Sequence, residues 1–137
     1  MPEIENKIES SILATIKKMI GIERDYTQFD QDIMVLINSY IKELYQIGVG
    51  PENFAITGHD QTWEDYLGAN SGLYDDVKSY IFYKTRITFN PPSNSFVTSS
   101  YQEAAKECIW RISIAADMAR IEAEEALESL EEDEDDE

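Results

Sequence analysis

Apolar side chains recur every three to four residues along much of this chain, and the phase of that recurrence predicts its elements. From Ile4 a stripe runs through Ile8, Ile12, Ile16 and Ile20, widened by Leu13 and Met19, which is the spacing of one helix face. Glu3 and Glu5 near its start and Lys17 and Lys18 near its end suit the helix macrodipole, and Gly21 ends it. Phe29 to Ile47 repeats the pattern with Ile33, Leu36, Ile37, Tyr40, Ile41 and Leu44. Thr27 and Asp30 resemble a capping pair for this second helix, and Gly48 fits the position at which helices close. From Gly48 to Leu73 the period is lost and five glycines accumulate, with Phe54 to Thr57 readable as an extended piece and Thr62 to Leu67 as a helical turn capped by Thr62. Trp63, Tyr66 and Tyr74 argue against disorder there, because bulky aromatics are scarce in disordered segments.

Helical spacing resumes over Asp75 to Phe89 through Val77, Ile81, Lys84 and Ile87. Tyr80, Phe82 and Tyr83 make this helix aromatic on more than one side, so it packs against two neighbours or against another subunit. Pro91 pushes Asn90 out of α geometry and Pro92 removes a second donor, which forces a stop; Ser93 or Ser95 offers a cap for the next helix. The last helix begins near Phe96 or Tyr101 and places Ala105, Cys108, Ile112, Ala115 and Ala119 along one packing seam, with Trp110 and Met118 off it. Glu103 with Lys106 and Glu107 with Arg111 stand at pairing distance on its exposed side. Running from Tyr101 to Leu130, the helix is about 45 Å long and must project from its domain. Glu131 to Glu137 has no apolar residue and is expected to lack a fold of its own. The predicted fold is therefore all-α, a small helical bundle of about four helices with a long projecting C-terminal helix and an acidic tail. It divides into a helical domain over residues 1–117 and an acidic extension over 118–137.

Charge sharpens this picture. At 137 residues the chain can bury one core, and its formal charge of −17 splits into −11 for Glu122 to Glu137, which holds 11 acids and no Lys or Arg, and −6 for the remainder. That balance argues against gripping nucleic acid, since phosphate affinity comes from Lys and Arg. The single Cys108 cannot form an internal disulfide and reads as a small buried hydrophobe, consistent with a reducing cytosol. No apolar run approaches the roughly 20 residues that span a bilayer, and Met1 to Ser10 is too charged for a signal peptide. The only histidine, His59, lies beside Asp60 without a second His or a nearby Cys, so it reads as part of a surface turn. No nucleophile, base and orienter assemble from these residues, and the sequence points to no catalytic residue, metal site or cofactor.

The central block resembles a known family. Val77-Lys78-Ser79-Tyr80-Ile81-Phe82-Tyr83-Lys84-Thr85-Arg86, then Phe89-Asn90-Pro91-Pro92-Ser93-Asn94-Ser95-Phe96, then Glu107-Cys108-Ile109-Trp110-Arg111-Ile112 is similar to the head–tail connector (adaptor, head completion) proteins of long-tailed bacteriophages. In that family an aromatic helix with a late Arg meets a Phe-Asp-Pro-Pro turn, followed by a long helix with a Glu near a Trp-Arg pair; here Asn90 stands where the family usually has Asp. The second helix with its closing Gly48-Val49 is also similar, and the likeness covers roughly residues 20 to 115.

The resemblance implies a structural virion protein that forms a ring, commonly of twelve copies, beneath the portal vertex of the head. Such a ring joins portal to neck or tail-completion protein and lines a channel through which DNA slides without sequence-specific binding. It would be made in the host cytoplasm and end in the neck of the virion. On this reading the portal-docking segment is Met118 to Glu137, with Met118, Ile121, Leu127 and Leu130 as its apolar residues. Trp63, Tyr66, Tyr83, Phe96, Tyr101 and Trp110 are candidates for the subunit or neck interface, because aromatics commonly anchor interfaces; ordinary core packing is the competing role for each. The rival function is a small acidic regulator that mimics DNA on a basic partner, which would explain the charge but not the proline elbow.

Overall fold

Side-chain caps and backbone closures decide where these helices start and stop. The computed structural model describes residues 10–69 and 71–135, and its elements are α1 (Ile12–Met19), α2 (Asp30–Gln46), α3 (Trp63–Leu67), α4 (Tyr74–Phe89) and α5 (Ser95–Asp135). Among the described residues there is no strand, and the fold is an all-α bundle with a long C-terminal helix. Ser11 caps α1 by accepting from the Ala14 N–H at 3.2 Å, so the helix begins at Ile12; Ile4, Ile8, Glu3 and Glu5 lie outside the described residues. Ile12, Leu13 and Ile16 are fully buried, which makes α1 the floor of the core.

The second helix does not use the expected capping pair. Thr27 supplies only its carbonyl, accepting from the Asp30 N–H at 3.2 Å, and the N-cap position is Phe29 with no side-chain bond. The C-terminus closes as predicted. Gly48 at φ +99° donates to Tyr45 O at 3.0 Å, and Val49 donates to Leu44 O at 2.9 Å while its side chain is buried.

The glycine-rich connection is ordered by its aromatics. Thr62 and Asp65 cap α3 reciprocally, Thr62 Oγ1 accepting from Asp65 N at 3.0 Å and Asp65 Oδ2 from Thr62 N at 2.9 Å. A one-residue antiparallel pairing of Ser11 with Thr62 ties the start of α3 to α1, through Ile12 N to Gln61 O at 3.1 Å and Trp63 N to Ser10 O at 3.0 Å. Phe54 to Thr57 forms no strand; instead the Asn38 amide bonds both the N–H (2.8 Å) and the carbonyl (3.0 Å) of Ile56, as a neighbouring strand would. Gly50, at φ +82°, lies under the Tyr66 ring, where a Cβ would come within 2.4 Å of Cε1.

Helix α4 is the middle layer, with α1 and α2 on one side and α5 along the other. Its polar links are specific: the Tyr40 hydroxyl donates to Lys84 O at 3.2 Å, and the Tyr80 hydroxyl to Glu43 Oε2 at 2.9 Å. The chain then turns at Asn90-Pro91-Pro92, and the cap of α5 is Asn94 rather than Ser93 or Ser95, its Oδ1 accepting from Phe96 N at 2.8 Å. The helix therefore starts at Ser95, ahead of the expected start. It also runs past Leu130 to Asp135, because Glu and Ala are helix formers and nothing after Pro92 breaks the helix. At 41 residues it is about 61 Å long. The expectation of an unstructured tail after Leu130 is corrected to that extent, and residues 136–137 lie outside the description.

Candidate functional site

The long helix has one face committed to the body. Ala105, Cys108 and Ile112 are buried on the side that runs along α4, and Ala116 is buried beside Gly48, where an added Cβ would reach Ala116 Cβ at 3.6 Å. The predicted seam is right at its start and shifts at its end: Ala116 is the buried position, while Ala115 is half-buried and Ala119 exposed. Beyond Ala116 every side chain described is exposed. Burial raises the Cys108 thiol pKa against the opposing Arg111 guanidinium. Arg111 itself reaches across to Asp76 Oδ1 at 3.1 Å, which raises its pKa further and pins α5 to the start of α4; Glu107 is at 4.0 Å. Glu103 and Lys106 pair at 3.3 Å as expected.

The opposite face carries large apolar residues left uncovered by the other described residues. Phe96 is 77% exposed and Trp110 65%, and Trp110, Ile114, Met118 and Ile121, at steps of four, four and three, form one stripe. Ile114 was not among the sequence candidates, although its spacing from Trp110 and Met118 marks it. Leu127 and Leu130 are equally exposed but lie on the other side of the helix, where they prolong the line of the buried seam past the body.

The remaining candidates serve the fold within the subunit. Trp63 and Tyr66 are each only 2% exposed, so their rings are covered within a single copy. Trp63 donates to Thr15 Oγ1 at 3.1 Å and meets Tyr74 edge-on, while Tyr66 stacks on Phe54 with ring centroids 4.9 Å apart. Tyr83 and Tyr101 are half-buried and pack together at 5.3 Å, joined by Phe82, where α4 and α5 converge on the elbow.

Two clusters escaped the sequence reading. Lys17 is fully buried: its Nζ lies 2.8 Å from Asp30 Oδ1, an ionic contact rather than an aligned hydrogen bond, and donates to Arg24 O at 2.8 Å. His59 completes the group, its Nε2 3.5 Å from Lys17 Nζ and 4.0 Å from Asp30 Oδ2, so it is a half-buried tie between the loop and α1 rather than a simple surface turn. Lys17 stands four residues after Leu13, at the edge of the buried face, whereas the exposed Lys18 lies off it; the spacing marks the position but not the partner Asp30. The second cluster is a groove of 440 Å³ between α4 and α5, walled by Tyr80, Lys84 and Ile87 on one side and Gln102, Lys106 and Ile109 on the other.

Among the described residues no group of three His, Cys, Asp or Glu side chains could hold a metal ion, and no helix is long and apolar enough to cross a membrane. Residues 12–119 match a family model described as phage connector protein. No match was found among curated proteins or among solved structures.

Proposed function

Because the chain belongs to the phage connector protein family, a structural component of the virion, we propose that it is the adaptor subunit of a ring between the portal vertex and the neck or tail. The ring, of twelve copies on the family's pattern, lines the channel through which DNA passes and has no catalytic role. The observation that carries this reading is the departure of α5 from the body: its buried face ends at Ala116, yet it continues to Asp135 with large apolar residues exposed. A helix that is longer than its own core requires has a partner outside the subunit.

The stretch from Met118 onward is the portal-docking end, with Met118, Ile121, Leu127 and Leu130 as its apolar anchors, and residues up to 117 form the adaptor domain. Phe96 and Trp110 supply subunit or neck contacts, and the half-buried edges of Tyr83 and Tyr101 at the elbow lie beside them in chain order. The −17 charge supports a lumen along which DNA slides without adhering. Deleting residues 118–137 tests the docking: the truncated protein should no longer co-sediment with purified cognate portal protein, and undiminished binding would refute the assignment.

A further inference from the structure

The groove between α4 and α5 is cationic at its rims and apolar at its floor, in a chain that is otherwise acidic. Lys84 stands on one wall and Lys106 on the other, with Ile87, Ile109 and Ala105 between them. Among the described residues the Lys84 ammonium lies over the Tyr40 ring at 5.8 Å without a carboxylate partner, and the Lys106 ammonium pairs with the exposed Glu103. Such pairs contribute little and are readily exchanged for better-placed carboxylates.

The far end of α5 has the complementary pattern. Ala123, Ala126, Leu127 and Leu130 fall at i, i+3, i+4 and i+7, the anchor spacing of an amphipathic helix that lies in a groove. Glu122 and Glu124 flank that stripe on its two sides. The stripe is about 10.5 Å long, matching walls that span Tyr80 to Thr88 and Gln102 to Ile109, each about 10–12 Å. It is also fully displayed, with Leu127 61% and Leu130 62% exposed.

A subunit cannot fill its own groove. Helix α5 is continuous from Ser95 to Asp135 and itself forms one wall, so Ala123 stands about 21 Å further along the same rod than Ile109. We propose that the Ala123–Leu130 stripe of one subunit occupies the α4/α5 groove of a neighbouring copy, with Glu122 and Glu124 on Lys84 and Lys106. A contact between two different faces of identical chains is heterologous, the kind of contact that gives a ring when its rotation closes and a filament when it does not. The inference rests on the ring reading above and deepens it: Leu127 and Leu130 serve docking by clamping neighbouring helices together, which leaves Met118 and Ile121, on the other side, toward the portal.

The test uses the full chain assembled on purified cognate portal protein, with benzoylphenylalanine in place of Gln102, a groove-wall residue. Half the subunits carry ¹⁵N so that links between copies are distinguished from links within one. After irradiation, mass spectrometry should place the adduct on residues 122–130 of another copy. Lys84→Glu with Lys106→Glu should lower its yield about tenfold, and adding Glu122→Lys with Glu124→Lys to the same chain should restore it. Rings whose adducts fall on the portal, on another segment or nowhere would overturn the groove contact while leaving the connector ring intact. Failure to form any ring on the portal would overturn both.

Discussion

Single side chains show most clearly what hydropathy pattern conveys and what it omits. Lys17 stands four residues after Leu13, at the edge of the apolar face of α1, and its charge favours solvent; the fold buries it against Asp30, a partner thirteen positions away. Such pairs are invisible in sequence because they depend on how α1 and α2 cross. Removing one partner strands the other, so Lys17→Ala should lower the unfolding free energy by about 3–5 kcal/mol in urea denaturation. Lys17→Met combined with Asp30→Asn should cost less than the two single changes added together. Tyr66 presents the reverse case: its aromatic character was legible, but not that its buried hydroxyl has no hydrogen-bond partner among the described residues. Tyr66→Phe should therefore leave stability at neutral pH unchanged or raise it by about 1 kcal/mol. Burial raises the Tyr66 pKa above the ordinary 10.0, and Tyr40, Tyr74 and Tyr80 shift the same way, first through desolvation. The folded chain thus holds protons that the unfolded chain releases. Stability is at its full value below about pH 10 and falls as pH rises beyond it, and Tyr66→Phe should flatten that fall in denaturation series at pH 8 and pH 11.

At the scale of elements, the helices of this bundle were readable because each has both a 3.6-residue period and an unambiguous stop, at Gly48 for α2 and at Pro91 for α4. Starts were less readable. Asn94 rather than a neighbouring serine caps α5, and Phe29 rather than Thr27 takes the N-cap position of α2, because several adjacent residues can cap and tertiary packing chooses among them. The interface candidates divided for a similar reason. Trp63 and Tyr66 lie on the five-residue α3, too short to show a period, so sequence could not tell an exposed aromatic from a covered one there, whereas Phe96 and Trp110 lie off the seam of α5 and are exposed as that seam requires. The seam also marks where the body ends: after Ala116, α5 contributes exposed surface only. Truncation after Asp117 should change the urea midpoint of the body by no more than about 0.5 kcal/mol equivalent, while far-UV circular dichroism loses the helical signal of the projecting stretch. A larger loss would mean that the projecting half stabilises its own subunit.

At the scale of the whole molecule, charge and shape are separable, and the separation distinguishes a connector from a DNA mimic. Of the 11 acids from Glu122 onward, seven lie in Glu131 to Glu137, beyond the last exposed leucine at Leu130. A mimic acts through the density of its negative charge, so converting those seven to Gln and Asn would reduce its hold on a basic partner, most of all at low salt. A connector ring instead depends on the apolar residues of α5 and on local pairs such as those proposed for Glu122 and Glu124. The seven-fold neutralised protein should therefore still assemble on portal protein, with native mass spectrometry giving the same subunit number as the unaltered chain. What should change is the passage itself. With seven fewer charges per copy, the proposed ring of twelve would lose on the order of 80 negative charges, and its lumen would repel DNA less strongly at low ionic strength. The neutralised chain still carries −10, that is −17 plus seven, so duplex DNA should be excluded less strongly than by the unaltered assembly at about 10 mM salt, and the difference should vanish at 150 mM, where the Debye length falls from about 30 Å to about 8 Å. Retention of ring number with this salt-sensitive difference in DNA exclusion would assign the acidic end to keeping the channel free of adhesion; loss of the ring would move those acids into the subunit contact.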